Sequence, residues 1–139
     1  MFVGTFEHTL DDKGRVVLPA GFRLQLGEHG VLSKLDACLA LWAPPAFEEV
    51  RTYMQEQARA GKLSVNALRR FASLSHPVTP DGQGRISIPA HLRSLVSIER
   101  EVVITGNFDR IELWNPATWQ GITEEADASL AAAVAELGI

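Results

Sequence analysis

A single cysteine, Cys38, stands in a chain of 139 residues. It rules out an internal disulfide, and its apolar neighbours Ala37 and Leu39 mark it as a buried, inert thiol. No apolar run approaches the roughly 20 residues that a membrane helix needs. The opening stretch, Phe2-Val3-Gly4-Thr5-Phe6, shows no basic leader and no apolar leader core, so a cytoplasmic location is expected. The histidines, His8, His29, His76 and His91, have no ligand spacing among themselves or with Cys38, and no metal site is expected. Gly82-Gln83-Gly84-Arg85 lacks the Lys-Ser/Thr of a phosphate loop and leads into a strand pattern instead of a helix. Spacing names no nucleophile–base constellation either. No catalytic residue, cofactor or small-molecule substrate is therefore expected.

Base is also in short supply. The formal net charge is −4, which argues against a general polyanion binder, but the deficit is unevenly placed. Residues 1–79 carry nine basic and eight acidic side chains, whereas residues 80–139 carry four basic and nine acidic. Only the first half is electrostatically suited to a polyanion.

What the chain does contain is a repeat. Asp11-Asp12-Lys13-Gly14-Arg15-Val16-Val17-Leu18-Pro19-Ala20-Gly21-Phe22-Arg23 returns as Asp81-Gly82-Gln83-Gly84-Arg85-Ile86-Ser87-Ile88-Pro89-Ala90-His91-Leu92-Arg93, with six identities at an offset of 70. Leu39-Ala40-Leu41-Trp42-Ala43-Pro44 is answered by Ile111-Glu112-Leu113-Trp114-Asn115-Pro116 at an offset of 72. Self-similarity of this kind decides the architecture before any local assignment does.

Each copy has a physical reading. Asp-x-x-Gly between apolar runs is a turn, since Asp can bond the backbone two residues on and Gly accepts a positive φ. The apolar alternation Val16/Leu18 and Ile86/Ile88 predicts strands, and Pro-Ala opens a short helix whose first N–H is dispensable. Further on, the pattern predicts strands near Val31–Leu35 and Leu39–Trp42, and a helix from Pro44 to about Ala60. Ser64 is placed to cap a helix over Val65–Ser73. Pro77 and Pro80 assign their strand to a sheet edge. The acidic, alanine-rich tail from Gly121 reads as a helix with the seam Ile122, Ala126, Leu130, Val134 and Leu137, suited to its own subunit or a neighbour; its acidic faces repel anionic lipid. The units expected are a first repeat over 1–60, a connecting helix over 61–74, a second repeat over 75–120 and an acidic C-terminal helix over 121–139.

Arg15 carries two readings. Asp11 could simply hold it in a local ion pair that stiffens the turn, as Asp81 could hold Arg85. Alternatively, the turn projects Lys13 and Arg15 toward a DNA groove, where the Arg fork matches guanine or phosphate. The replacement of Lys13 by Gln83 favours that use in the first copy. Trp42, Trp114 and Trp119 are expected as core or interface anchors rather than base-stacking platforms. The pair Arg69-Arg70 reads as a solvated face, with phosphate contact or an inter-subunit ion pair as the second option.

On Met1-Phe2-x-Gly4, Leu10–Arg15, Leu18-Pro19-Ala20, Arg23, the echo Asp81–Arg93, Trp42, Arg70-Phe71 and Ile111-x-Leu113-Trp114, the sequence resembles the MraZ family, within the AbrB-like, swapped-hairpin DNA binders. The resemblance implies an α+β fold: a tandem, pseudo-symmetric swapped-hairpin β-barrel with flanking helices. It also implies a ring-shaped homo-oligomer and transcriptional control, usually repression, at a division and cell-wall gene cluster. The implied partner is double-stranded promoter DNA carrying short G-rich direct repeats, placing the protein at the nucleoid. The DNA-facing residues implied are Lys13, Arg15 and, more weakly, Arg23, while Asp11, Gly14, Asp81, Gly84 and Arg85 shape the motifs. Pro80 and Gly82 depart from the family pattern, which directs Asp81 and Arg85 toward building the barrel or an interface. Two rivals are an acidic oligomeric scaffold for a protein partner, with DNA incidental, and an antitoxin-like regulator on the same fold.

Overall fold

The computed structural model describes all 139 residues as eight strands and five helices. The first half contributes β1 (Thr5–Thr9), β2 (Arg15–Val17), α1 (Ala20–Leu26), β3 (Gly30–Lys34), β4 (Leu39–Trp42) and α2 (Pro44–Arg59). After α3 (Val65–Leu74), the second contributes β5 (His76–Val78), β6 (Arg85–Ser87), α4 (Ala90–Leu95), β7 (Glu101–Gly106), β8 (Ile111–Trp114) and α5 (Pro116–Leu137). Ser64 caps α3 by accepting the Ala67 N–H at 3.0 Å. Asn115 does the same for Thr118 at the head of α5, with Pro116 in the first turn. Gly121 lies within α5, which runs unbroken to Leu137.

The two copies trade strands. β1 and β2 follow one another across a tight turn, yet β1 pairs with β7, with Glu7 opposite Val103. β5, its counterpart, pairs with β3, with Val31 opposite Pro77. The outcome is one antiparallel sheet in the order β1-β7-β8-β4-β3-β5, symmetric about the β4–β8 seam. β5 takes the edge, as its prolines require. β2 and β6 form a separate two-stranded ribbon, in which Val16 faces Ile86. No ladder joins β1 to β5, so the ladders describe an open sheet and a ribbon where the resemblance implied a closed barrel.

Period-two alternation fixes the core. Val16, Leu18, Ile86 and Ile88 turn inward from the ribbon and are at most 2 % exposed. They meet Leu32, Leu39, Leu41, Ile104, Ile111 and Leu113 in a single apolar cluster. Phe22 of α1 packs edge-to-face on Phe2 and Phe6, with ring centroids 5.5 and 5.2 Å away. On the opposite sheet face Trp42 donates to Ser33 Oγ at 2.8 Å and Arg110 lies over its ring, while Trp119 and Ile122 pack around Trp114. Trp42 and Trp114 are both buried.

Candidate nucleic-acid interface

The two turns are built alike. Asp11 Oδ1 accepts the backbone N–H groups of Lys13 and Arg15, both at 2.9 Å, and its Oδ2 accepts Arg15 Nε at 2.7 Å. Asp81 Oδ1 accepts from Gln83 and Arg85 at 2.9 Å, and its Oδ2 from Arg85 Nε at 2.8 Å. Gly14 and Gly84 complete the turns at φ +72° and +76°, the left-handed region where glycine is at ease. The backbone N–H of Arg15, aided by its side chain, holds the Asp11 carboxyl below its ordinary pKa; Arg85 does the same for Asp81.

The ion pair suggested by the spacing is therefore present in both copies. It leaves the end of each guanidinium unused. Arg15 Nη1 and Nη2 take no hydrogen bond, and Arg85 Nη1 reaches only the Asp11 carboxylate, at 3.9 Å. Each carboxylate thus fixes its arginine from behind while the forked edge stays free to donate.

Strand pairing brings the arginines together. Val17 stands opposite Arg85 and Arg15 opposite Ser87, so all four side chains point to the outer face of the ribbon, away from Val16 and Ile86. Lys13 and Gln83 are exposed at the two turn tips. Arg100 approaches Asp12 at 3.9 Å, so Lys13, Arg15, Arg85 and Arg100 share this end of the molecule with Asp11, Asp12 and Asp81 and with Glu99 and Glu101 on either side of Arg100. Sequence reasoning set Arg85 apart from the first motif, because an offset of 70 residues says nothing about which strand β6 meets.

Arg23 sits differently. Its guanidinium lies against Gly84, so closely that a Cβ there would overlap it. Arg93 lies reciprocally over Gly14, where a Cβ would come within 2.9 Å of Nη2, and donates Nε to the Ile88 carbonyl at 3.0 Å. Each helix arginine thus covers the other copy's turn. Glycine is required there twice over, for its φ and for the space. Away from the ribbon, no group of three or more His, Cys, Asp or Glu side chains is placed to hold a metal ion. No helix is long and apolar enough to cross a membrane.

These features define a class: a tandem-repeat α+β protein whose copies interlock through exchanged strands and present paired Asp–Arg turns on one ribbon. The family model described as "MraZ protein, putative antitoxin-like" matches the chain twice, over residues 1–70 and 71–137. The chain belongs to the MraZ family. It is 39% identical to a protein named Transcriptional regulator MraZ from Kocuria rhizophila, with 93% of this chain and 91% of that one covered. A protein of the same name from Halothermothrix orenii is 37% identical with both chains fully covered, and one from Salinispora tropica is 35% identical over 94% of this chain and 93% of its own.

Proposed function

We propose that the chain is a DNA-binding transcriptional regulator that reads duplex DNA with the outer face of the β2–β6 ribbon. A two-stranded ribbon fits the major groove, and a forked arginine edge matches guanine O6 and N7 or a phosphate. The observation that carries this reading is the pair of half-buried guanidiniums, Arg15 and Arg85, on the outer face of one ribbon, each pinned at Nε by a carboxylate with no hydrogen bond at Nη, Arg85 Nη1 having only the Asp11 carboxylate at 3.9 Å. Lys13 adds a point charge at the tip of the first turn, where the second has Gln83. Arg23 is assigned to bracing the Gly84 turn, one step removed from the DNA.

The target is a set of short G-rich direct repeats upstream of the division and cell-wall gene cluster, with repression as the outcome. Such a regulator works at the nucleoid, in the cytoplasm. One ribbon makes few phosphate contacts, so one subunit binds weakly. Assembly into a homo-oligomeric ring multiplies identical ribbons, and repeat DNA engages several of them together.

A gel-shift series on repeat-bearing DNA tests the reading. Arg15→Ala and Arg85→Ala should each weaken binding by about 10- to 100-fold, as expected for a lost charge-assisted contact. Added salt should weaken the wild type with a slope of about −0.9 per phosphate engaged. Binding that ignores salt and survives both substitutions would return the protein to the scaffold class.

A further inference from the structure

α2 and α3 lie side by side and leave an apolar groove of ≈ 380 Å³ on the surface. No residue of α2 is buried, and Leu74 is the only buried residue of α3. Phe47 and Phe71 stack with centroids 6.1 Å apart, and Met54, Leu68 and the 55 % exposed Val65 complete the lining. Arg69 stands at its margin, as does Arg51, which is already ion-paired to Glu48. Residues 57–80, which include all of α3, contain Arg59, Lys62, Arg69 and Arg70 and neither Asp nor Glu, while α2 also carries Glu48, Glu49 and Glu56.

α5 has the opposite character. Its first turns are held by Trp119 and Ile122 against Trp114. From Glu124 onward no side chain is buried, and Leu130 and Leu137 are 63 % and 72 % exposed. That stretch is about 20 Å of helix, a length that is marginal in water with no packed face. Ala126, Leu130, Val134 and Leu137 continue one seam at spacings of three and four. Asp127 flanks that seam on one side, with Glu125 and Glu136 on the other. No basic residue follows Arg110.

We propose that the outer half of α5 from one copy docks in the α2–α3 groove of a second copy. Shape class and charge agree: an apolar seam edged with carboxylates meets an apolar groove whose α3 side is basic, with Arg69 at its margin. The groove is lined by residues of α2 and α3 with Ser75, so the chain's own α5 does not fill it. β4 and β8 are antiparallel neighbours, so α2 and α5 leave from opposite ends of the sheet, and α5 is one unbroken helix that cannot double back. A tail-to-groove contact is heterologous, since each copy keeps one free tail and one free groove until a ring closes. The contact deepens the multivalent reading above and rests on it for its use, but it is tested without DNA.

In light scattering on the full chain, the wild type should exceed the 15.2 kDa of one copy. Leu130→Glu, which sets a charge in the seam, and Arg69→Glu should each weaken self-association by at least about tenfold. Adding Glu125→Arg to Arg69→Glu should restore it, which separates a lost contact from a lost fold. Co-expressed Leu68→Cys and Leu130→Cys chains, one of them tagged, should form a mixed disulfide under mild oxidation. A monomeric wild type, an unaltered mass in Leu130→Glu, or the absence of the mixed disulfide would overturn the proposal. Such a failure leaves the ribbon reading standing if Arg15→Ala still loses DNA. Loss of the ribbon reading alone leaves the mixed disulfide in place.

Discussion

The arginines of this protein divide by what their outer nitrogens touch. Arg15 and Arg85 are fixed at Nε and make no hydrogen bond at Nη, where Arg85 has only the Asp11 carboxylate at 3.9 Å, whereas Arg23 and Arg93 lie over glycines and hold the turns down. Gly84→Ala therefore meets two penalties, a positive φ and a displaced Arg23, and should cost about 1–3 kcal/mol in urea unfolding. Gly21→Ala, within α1 and with nothing near its added methyl, should instead stabilise by about 0.5–1 kcal/mol. Cys38 is another residue whose surroundings decide its chemistry. Burial, assisted by the Glu112 carboxylate, pushes its thiol up to about 12. The folded state therefore keeps the proton after the unfolded chain has lost it, and stability should decline as pH rises from about 9 toward 12. Cys38→Ala should flatten that decline in thermal melts taken across the range.

At the scale of elements, the turn is the part most readable from sequence. Asp-x-x-Gly-Arg specifies its own hydrogen bonds locally, Ser64 and the Pro starts mark helices, and the prolines around β5 mark an edge. Partnership was not readable. Alternation in Val16–Leu18 or Ile86–Ile88 says which side chains turn inward but is silent on whether β2 pairs with β1 or with β6. That silence is why Arg85 could not be placed beside Arg15, and why the division of the strands into a six-stranded sheet and a ribbon was not foreseen. α5 was legible as a helix with a seam but started at Gly121 instead of Pro116, because a lone glycine costs only about 1 kcal/mol, which the Asn115 cap and the packing of Trp119 and Ile122 outweigh. The acceptors in the turns also set a pH response. Folded Asp11 and Asp81 titrate below their ordinary value, so their stabilisation is complete above it and is lost as pH falls through the lowered one. Amide resonances of Lys13, Arg15, Gln83 and Arg85 should shift together in an acid titration, with midpoints below the roughly 3.9 of a free Asp.

On the scale of the whole molecule, the proposed function asks an acidic protein to meet a polyanion, and its charge is unevenly sorted. Residues 1–79 carry one base more than acid, the stretch through α3 is basic, and the carboxylate excess is carried by the second half, much of it on α5. If that excess is spent on contact between copies, it is removed from the surface that faces DNA. The reading then predicts that DNA with a single repeat binds far more weakly than DNA with three or four, by roughly 10²–10⁴ in apparent affinity. Equal affinity for both, measured by fluorescence anisotropy at one salt concentration, would contradict it.

The exchange of leading strands also sets a timetable for synthesis. β2 finds its partner 70 residues downstream, and β1 pairs with residues almost 100 positions on. At about 5–20 residues per second, a ribosome leaves Val16 and Leu18 waiting on the order of 4–14 s before Ile86 and Ile88 emerge to cover them. The amino-terminal half is thus born unfinished, and a nascent chain stalled between the repeats would be a target for chaperones or for a neighbouring nascent copy offering the same missing strands.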